Sequence, residues 1–322
     1  MHYPLQGRGV FFFCDAAGAY SCMSLAYMLE KETGISQSLY SNQERYSTNQ
    51  FGLDVRKIED PAVVNFSDFD FVFTGTSHPA RSEGFELRAI RGALNKRTYS
   101  FVDHWTNFAM RFTLNNELIF PDEIWVLDEL AKAKAIEDGV PESKLVICDN
   151  PYHYFLKNYW RSKFQGREYL QQLIKLSPGQ KKVLLYAPDP ISLSKGQEGS
   201  AYNEFSFFRV LLDLLNENFG DEVLLIAKIH PIQEVDQYVE VLKLSENRIP
   251  TYILKEADAN ELLNVSDLVI GFYSNILLEA ECLGKKVLRF VPSEDSDLFA
   301  HIKVGELIRS REQLLQQLKT KL

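Results

Sequence analysis

The stretch DLVIGFYSNILLEAECLGKKVLRFV, residues 267–291, contains one complete strand–helix–strand pattern. An apolar run ends at Phe272, polar residues 273–275 follow, and a helical segment continues to Gly284, a residue that commonly ends helices. A second apolar run begins directly afterwards. Continuous apolar strands on either side of a helix are typical of a parallel sheet that is covered on both faces. This stretch therefore predicts an α/β fold.

The same pattern recurs along the rest of the chain. Apolar runs predict the strands GVFFFC, SQSLYS, AVVNF, FDFVFTG, RTYSFVD, EIWVLD, KLVIC, KVLLYA, EVLLIAKI, TYILK, DLVIGF and KKVLRFV. Helical patterns fall at 20–32, 83–94, 127–138, 203–218, 233–244, 258–264, 274–283 and 310–321. A polar helical segment near the middle ends in SPGQKK, which predicts a turn. We therefore predict two Rossmann-like doubly wound domains facing a cleft, residues 1–170 and 171–322.

Composition excludes several classes of protein. The chain has 322 residues, 45% hydrophobic and 25% charged, which is typical of a soluble globular protein. Its formal charge of −9 argues against a general nucleic-acid binder, because such proteins need a basic surface. Any anionic ligand must therefore be held by local donors. No apolar run approaches the length of a transmembrane helix, so we expect no membrane span.

Cysteine usage and the first residues indicate a compartment. The four cysteines are scattered without a CxxC pair, which favours reduced, mostly buried thiols. The opening MHYPLQGRG lacks the basic and apolar regions of a signal peptide. We expect a cytoplasmic protein, with a peripheral position at the inner face of the membrane as an alternative. The stretch FLKNYWRSKF carries aromatic and basic residues that could touch a lipid-linked acceptor, although at helical spacing such a stripe more often packs between domains.

Ligands of parallel α/β sheets collect at the carboxyl ends of the strands, so the loops there are the candidate sites. In FFFCDAAGAYSCMSL the strand ends before Asp15, and Gly18 allows close approach to the backbone. Asp15 is a candidate general base. Its alternative role is to cap the following helix, and the two roles are compatible. The loop lacks the GxGxxG pattern, which argues against a dinucleotide site.

The loop FTGTSHPARSEG follows another buried strand. Thr76, Ser77 and His78 could hydrogen-bond a hydroxyl-rich ligand or a phosphate. The structural alternative is that Ser82 simply caps the next helix.

A carboxylate, an imidazole and an indole follow the strand of SFVDHWTNFAMRF. Asp103 and His104 are further candidates for the catalytic base, although adjacent residues on an extended chain point in opposite directions. Trp105 could stack on a sugar ring and Arg111 could bind nearby, which would make an acceptor platform. The alternative is that Trp105 is a buried anchor.

Two loops of the second half also carry polar residues. Asp189 lies between two prolines at the end of a strand, and Ser192 opens the polar loop SLSKGQEGSAYNE. We expect this loop to be mobile and to cover a bound substrate.

The loops KIHPIQ and FYSN predict an anion site. Tyr273, Ser274 and Asn275 begin a helix, where unpaired N–H groups and the positive end of the helix dipole favour a phosphate. Lys228 and His230 follow a neighbouring strand and could bind the same phosphate. The alternative is a capped helix with a solvated lysine.

These loops resemble the donor half of GT-B glycosyltransferases. In bacterial sialyltransferases, Kdo transferases and polysialyltransferases, a His-Pro pair recognises the nucleotide and a serine-rich helix start binds the donor phosphate. The matching residues are His230-Pro231 and Ser274-Asn275, where asparagine replaces the usual second serine or threonine. FVDHWTNFAMRF, PDEIWVLDELA and DNPYHY are also similar to bacterial glycosyltransferases from surface-polysaccharide clusters.

The resemblance implies a glycosyltransferase of bacterial surface-polysaccharide biosynthesis. It implies inverting transfer from a phosphate-activated donor, a CMP-sugar above all, to a glycan acceptor. Asp15 would be the base, with Asp103 and His104 in reserve, and no essential metal or other cofactor would be needed.

Three alternatives stay open at this point. A phosphoribosyltransferase could use phosphoribosyl pyrophosphate to modify a glycan, although the acidic loop of nucleotide-salvage enzymes is missing. A non-hydrolysing nucleotide-sugar 2-epimerase has the same twin-domain scaffold. A non-catalytic binding module is the third, because a fold does not determine a function.

Overall fold

The computed structural model describes residues 3–160, 164–175, 181–193, 202–291 and 299–322. The chain forms two compact units, Met1–Phe155 and Leu156–Leu322. We refer to them as the N-terminal and the C-terminal unit. Their boundary lies 15 residues before the predicted one at 170 (170 − 155 = 15).

The segment before the predicted boundary belongs to the C-terminal unit because its polar contacts lie there. The Tyr169 hydroxyl accepts a hydrogen bond from the backbone N–H of Asp258 at 2.8 Å. The Glu261 carboxylate accepts one from the backbone N–H of Gln165 at 3.0 Å. Leu170 is fully buried. A sequence pattern shows that this segment is helical but not which core its apolar face joins.

The N-terminal unit contains one large parallel sheet and a separate hairpin. Its strands are β1 Gly9–Phe13, β2 Ser38–Ser41, β3 Val55–Lys57, β4 Phe71–Thr74, β5 Arg97–Val102, β6 Thr113–Leu114, β7 Glu117–Leu118, β8 Glu123–Val126 and β9 Leu145–Ile147. Its helices are α1 Ala16–Thr33, α2 Pro79–Ser82, α3 Phe85–Gly92, α4 Phe108–Arg111, α5 Glu129–Glu137 and α6 Pro151–Phe155. The sheet order is β3-β2-β1-β4-β5-β8-β9, while β6 and β7 pair with each other in antiparallel fashion.

The C-terminal unit repeats the scheme. Its strands are β10 Lys182–Ala187, β11 Val223–Lys228, β12 Thr251–Leu254, β13 Leu268–Gly271, β14 Lys286–Phe290 and β15 Glu306–Ile308. Its helices are α7 Arg167–Ile174, α8 Glu204–Asn218, α9 Val235–Leu244, α10 Ala259–Val265, α11 Asn275–Cys282 and α12 Arg311–Lys321. The strands pair in the parallel order β12-β11-β10-β13-β14-β15.

Both sheets show the Rossmann strand order, in which the chain starts in the middle and winds outward in both directions. The order reverses between β1 and β4 in the first sheet, and between β10 and β13 in the second. Ligands of such sheets bind at this switch point, outside the carboxyl ends of the strands. The predicted pair of doubly wound α/β domains is therefore confirmed.

Aromatic side chains fill the cores because the central strands are covered on both faces. In β1, Phe11, Phe12 and Phe13 are all fully buried. In the C-terminal unit, Tyr186 of β10 stacks on Phe208 of α8 with ring centroids 5.7 Å apart. Burial on both faces explains why these strands are continuously apolar instead of alternating.

Most predicted elements are present, but the predicted strand AVVNF is wrong. Its residues form two short 3-10 turns, Pro61–Val63 and Phe66–Asp68. The side chains of Asp60 and Asn65 accept hydrogen bonds from backbone N–H groups at the start of these turns. Such local capping competes with strand pairing. The short strands β3 and β15 and the β6–β7 hairpin were not predicted.

The cysteines and the lengths of the helices can be compared with the expectations from composition. All four cysteines are free, and Cys14 and Cys22 are buried. Among the helices of the described residues, none combines the length and the apolar character that a membrane crossing requires.

Candidate functional site

The switch point of the N-terminal unit brings two loops together at their backbones. Gly18, in the first turn of α1, lies against Gly75, which follows β4. A Cβ atom on Gly75 would lie 2.9 Å from the Cα of Gly18. Both loops therefore require glycine at this contact.

Asp15 lies beside this contact and caps α1. Its Oδ1 accepts a hydrogen bond from the backbone N–H of Gly18 at 2.8 Å, and its own N–H donates to Ser77 Oγ at 3.0 Å. The side chain is half-buried. Its Oδ2 makes no hydrogen bond within the part of the chain that the structure describes. The capping role is therefore present, and one carboxylate oxygen is left for proton transfer.

The hydroxyls of Thr76 and Ser77 are already engaged inside the unit. Thr76 Oγ1 donates to the Phe101 carbonyl at 3.0 Å, and Ser77 Oγ donates to Glu86. Both residues are buried. Burial also raises the pKa of Glu86, a carboxyl group that sequence reasoning did not single out. Thr76 and Ser77 thus position the loop instead of presenting hydroxyls to a ligand.

His78 lies on the surface. Ser82, which the structural alternative made the N-cap of the next helix, does not cap a helix. The Nδ1 atom of His78 accepts a hydrogen bond from the Ala80 N–H at 3.2 Å, which leaves Nε2 as the proton-bearing nitrogen. Ser82 is buried at the end of α2, and α3 begins after Gly84.

The end of β5 brings a second carboxyl group towards Asp15. Loss of hydration raises the pKa of Asp103, and the negative charge of Asp15 raises it further. Arg111 and His104 act in the opposite direction. Arg111 is held in place because its Nη1 donates to the Thr76 carbonyl at 2.7 Å. Asp15, Asp103, His104 and Arg111 therefore form one electrostatic group, which we call the acidic site.

Trp105 does not form the predicted sugar platform. Its indole is buried, and Nε1 donates to Asp128 Oδ2 at 2.8 Å. The other oxygen of Asp128 accepts from the Ala131 N–H at 2.7 Å and so caps α5. The indole is therefore a buried anchor, as the structural alternative predicted.

The switch point of the C-terminal unit joins Asp189 to the turn before α11. Asp189 Oδ2 accepts a hydrogen bond from the backbone N–H of Tyr273 at 3.1 Å. Burial raises the pKa of Asp189 to about 7, although backbone N–H groups of the same turn oppose the shift. Sequence reasoning assigned this turn to a phosphate, but the backbone N–H groups of Phe272, Tyr273 and Ser274 already interact with Asp189.

The start of α11 itself keeps the features of an anion site. Ser274 is the N-cap residue, yet its side chain makes no capping hydrogen bond. It is half-buried, and Asn275 beside it is exposed. The first turn of α11 contains no acidic residue that would weaken the positive end of the dipole.

Lys228 and His230, which follow β11, have different environments. The Lys228 ammonium donates to the Lys255 carbonyl at 2.7 Å, and burial lowers its pKa. It therefore ties the ends of β11 and β12 together. His230 and Pro231 are exposed. His230 Nδ1 accepts from the Ile232 N–H at 3.2 Å, so Nε2 is the proton-bearing nitrogen that faces outward.

A buried carboxylate that sequence reasoning missed connects the loops around His230. Glu204, at the start of α8, is fully buried. It accepts hydrogen bonds from the Ser192 hydroxyl at 2.6 Å and the Ser192 N–H at 2.9 Å, and from Gln233 Nε2 at 3.2 Å. Gln233 Oε1 in turn accepts from the His230 N–H at 2.9 Å. Glu204 thus fixes the loops after β10 and β11, although its sequence context shows only an acidic first turn.

Ser192 is consequently a structural partner of Glu204. Most of the polar loop that follows it, residues 194–201, lies outside the described residues, so its predicted role as a cover stays a prediction.

A second missed carboxyl group lies on α11. Burial raises the pKa of Glu279 to about 8, and Asp258 adds to the effect. In the sequence, only the position of Glu279 one helical turn after Asn275 indicates that it belongs to the same helix as the candidate site.

The stretch FLKNYWRSKF lies partly outside the described residues, since 161–163 are not described. Phe155 and Trp160 are buried, so neither side chain is available to a lipid surface. Within the described ranges, no group of three or more His, Cys, Asp or Glu side chains is placed to hold a metal ion. Metal independence stays a prediction.

Comparison with known proteins identifies the fold. No protein-family model matches the chain, and no curated protein sequence matches it. The UDP-GlcNAc 2-epimerase of Neisseria meningitidis bound to UDP-GlcNAc superimposes with a TM-score of 0.68 at 12% identity, covering 97% of this chain and 90% of that one.

Two further structures support the same assignment. The UDP-GlcNAc 2-epimerase of Methanocaldococcus jannaschii gives a TM-score of 0.62 at 12% identity, covering 98% and 92% of the two chains. Anabaena Alr3699/HepE in complex with UDP-glucose gives 0.59 at 15% identity, covering 98% and 89%. The GT-B-like fold is therefore shown, whereas nothing links the chain to sialyltransferases or Kdo transferases in particular.

Proposed function

We propose that the protein is an enzyme acting on a UDP-activated sugar, and that its reaction is epimerisation of the sugar. The observation that carries this proposal is the acidic site at the first switch point. There, Asp15 and Asp103 lie within electrostatic reach of each other, and the pKa of Asp103 is raised. A carboxylate that lies beside a carboxyl group of raised pKa can serve as the base while that group serves as the acid.

Epimerisation next to the anomeric carbon needs such a pair, because a proton must leave the ring carbon on one face and return on the other. The electron pair of the broken C–H bond forms a C1–C2 double bond while the C1–O bond to UDP breaks, and that C1–O bond re-forms when the proton returns. Asp15 is the proposed base, since its Oδ2 is uncommitted and its Oδ1 is already satisfied by Gly18. Asp103 is the proposed acid, because its raised pKa keeps its proton at higher pH. The positive charge of Arg111 partly offsets the negative charge of Asp15 and Asp103. The reaction is an isomerisation and consumes no co-reactant.

The C-terminal unit is assigned the nucleotide phosphates. The start of α11 offers backbone N–H groups, the Ser274 hydroxyl, which makes no capping hydrogen bond, and the positive end of the dipole. His230 Nε2 is a further donor. Asp189 would repel a phosphate when ionised, and its pKa of about 7 allows it to be partly protonated near neutrality. UDP replaces the CMP expected from sequence, because the similar structures contain UDP or UDP-sugars.

Glycosyl transfer is the second candidate. It needs a single base for the acceptor hydroxyl, a role that Asp15 could fill alone. The similarity to Anabaena Alr3699/HepE with UDP-glucose favours it, because that structure holds a different UDP-sugar on the same fold.

One experiment separates these reactions. The protein is incubated with UDP-GlcNAc alone and then with a glycan acceptor, and the products are followed by ¹H NMR. Appearance of UDP-N-acetylmannosamine without an acceptor supports epimerisation, whereas release of UDP only with an acceptor supports transfer. UDP binding is measured in parallel by thermal shift, where ligand at 100 times its Kd adds about 2.7 kcal/mol. Absence of both turnover and UDP-dependent stabilisation would overturn the proposal.

A further inference from the structure

The N-terminal unit contains an open cavity that the proposed chemistry does not use. Its volume is about 600 Å³, within the range of about 300–1,000 Å³ that small-molecule sites occupy. Its lining comes from α2 and the two residues that flank it, from α3 and α4, and from the β6–β7 hairpin, and includes His78, Glu83, Arg88, Leu114, Asn115 and Asn116.

Two left-handed turns shape the walls of this cavity. Glu83 and Gly84 join α2 to α3 with φ values of 52° and 67°. Asn115 and Asn116 form the tip of the hairpin with φ values of 51° and 63°. Non-glycine residues in this conformation are uncommon, and they cluster where a surface must take a defined shape. The side chain of Leu114 lies so close to Gly84 that a Cβ there would be 2.5 Å away.

The hairpin wall is held firmly although an isolated two-stranded hairpin is only marginally stable. The Ile119 N–H donates to the Phe112 carbonyl at 2.8 Å, and Thr113 Oγ1 donates to the Ala109 carbonyl at 2.8 Å. Arg91 forms an ion pair with Glu117 at 2.5 Å. The cavity is therefore a preformed feature of this unit.

The lining chemistry suits a neutral, hydroxyl-rich ligand. Two asparagine amides, the His78 imidazole and the Glu83 carboxylate supply donors and acceptors, and proline, methionine and leucine supply apolar surface. The charge of Arg88 is compensated, because Nη1 lies 3.6 Å from Asp60 and Nη2 donates to the Glu59 carbonyl at 3.1 Å. Although Arg88 Nε has no hydrogen-bond partner among the described residues, the carboxylates of Asp60 and Glu83 leave no net positive charge around Arg88 to favour a phosphate group over a neutral ligand.

We propose that this cavity binds a neutral saccharide as a second site, separate from the nucleotide sugar. It shares two loops with the acidic site, since His78 directly follows Ser77 and Met110 directly precedes Arg111. The bound saccharide is thus held beside Ser77, which accepts a hydrogen bond from the Asp15 N–H, and on the segment that follows Asp103 and carries Arg111. Under sugar transfer it is the acceptor, and under epimerisation it is an additional ligand. The inference goes beyond the proposed function and does not depend on either reaction.

The test measures binding of three neutral probes, maltotriose, cellotriose and N,N′-diacetylchitobiose, by saturation-transfer NMR and calorimetry. Glucose 1-phosphate serves as the anionic probe. Ala80→Trp fills the cavity without removing a contact and is expected to abolish binding. Asn116→Gly keeps the left-handed turn but removes one amide. Its expected cost is about a 2- to 10-fold loss of affinity, the value of one or two neutral hydrogen bonds.

Asn95→Gly is the matched control. Asn95 also has a positive φ, of 63°, but it does not line the cavity, so its replacement should leave saccharide affinity unchanged. The inference is overturned if no neutral probe binds, if Ala80→Trp binds as well as the parent protein, or if glucose 1-phosphate binds more tightly. Stabilisation by UDP is measured on every variant. Its loss would concern the proposed function, whereas its retention isolates the saccharide site.

Discussion

At the scale of single residues, Asp15 and Asp189 occupy equivalent places in the two units but have different partners. Each follows the first strand of its sheet. Asp15 caps its own helix through Gly18, whereas Asp189 accepts a hydrogen bond from Tyr273 on the neighbouring loop. The sequence shows both aspartates at strand ends, but the distance to the neighbouring loop depends on the strand order. The raised pKa of Asp189 could not be predicted from sequence.

Asp189→Asn should change how stability depends on pH. The pKa of Asp189 is raised from 3.8 to about 7 in the folded state. Between these values the folded state keeps a proton that the unfolded state has lost, so the free energy of unfolding falls by about 1.4 kcal/mol per pH unit as the pH rises. The Asp189→Asn variant has no titrating group at this position, so it lacks this pH-dependent loss of stability. Its stability relative to the parent protein should therefore rise between pH 4 and pH 7.

Urea denaturation at several pH values from 4.5 to 8 measures this difference. Asp236→Asn, at an exposed position on α9, is the control and should follow the parent profile. Parallel profiles for the parent protein and Asp189→Asn would show that Asp189 is not buried as described.

Asp15→Asn should separate the two roles of Asp15. Asparagine also caps helices, so the free energy of unfolding should change little, whereas Asp15→Ala should cost about 1 kcal/mol. Loss of the proposed base should lower turnover about 10²- to 10⁴-fold in both variants. Turnover by NMR, UDP stabilisation and urea denaturation are measured together. Normal turnover in Asp15→Asn would remove Asp15 from the mechanism.

At the scale of elements, close packing between loops decides where the candidate site forms. Gly18 and Gly75 allow the loops after β1 and β4 to touch. The sequence indicates a small-residue turn at each place. It does not indicate that the two turns meet, because contact depends on the pairing of β1 with β4 across 58 or more residues of chain (71 − 13 = 58).

Gly75→Ala should destabilise the unit and disturb the acidic site. The new Cβ would lie 2.9 Å from the backbone of Gly18, which cannot move without shifting α1. We expect a loss of about 1–3 kcal/mol, the usual cost of overpacking. Gly92→Ala is the control, because its Cβ would meet only the ring edge of Phe66 at 3.1 Å. Equal stabilities of the two variants would contradict the close contact.

Glu204→Ala should loosen the start of α8 and the loops after β10 and β11. It leaves the Ser192 N–H without its acceptor and the Gln233 amide with Tyr238 as its remaining acceptor, which should cost about 2–4 kcal/mol. Because Gln233 also holds the His230 backbone, UDP stabilisation should weaken in parallel. Glu217→Ala, at an exposed site on α8, should leave both quantities within about 0.5 kcal/mol of the parent values. Unchanged UDP stabilisation in Glu204→Ala would separate Glu204 from the nucleotide site.

At the scale of the whole molecule, the structure has two units, as the sequence predicts, but the boundary between them lies after Phe155 and not at 170. The segment 156–170 joins the C-terminal unit through Leu170 and the contacts of Tyr169. A fragment of residues 156–322 should therefore unfold cooperatively. A fragment of residues 171–322 should be less stable by about 4–8 kcal/mol, since it loses the buried side chains of Leu156, Trp160 and Leu170, at about 1.5–3 kcal/mol each. Denaturation followed by circular dichroism compares them, and equal stability would favour the boundary at 170.

The sequence by itself determined the α/β class, the division into two Rossmann-like domains and most strands and helices. These follow from local periodicity, since a buried strand must be apolar throughout and a surface helix must have one apolar face. It also singled out Asp15, Asp103, His230 and Ser274 as candidate site residues, because ligand loops of this fold occur where strands end.

Only the tertiary structure decided which of these side chains remain available and which serve the fold. Thr76, Ser77, Trp105 and Lys228 carry suitable chemical groups, yet all four are engaged with nearby carbonyls or carboxylates. Glu204, Glu279 and the cavity beside the β6–β7 hairpin became apparent only once the elements were packed. The physical reason is that burial, pKa and hydrogen-bond partners depend on groups far away in the chain, whereas sequence patterns report only on neighbours.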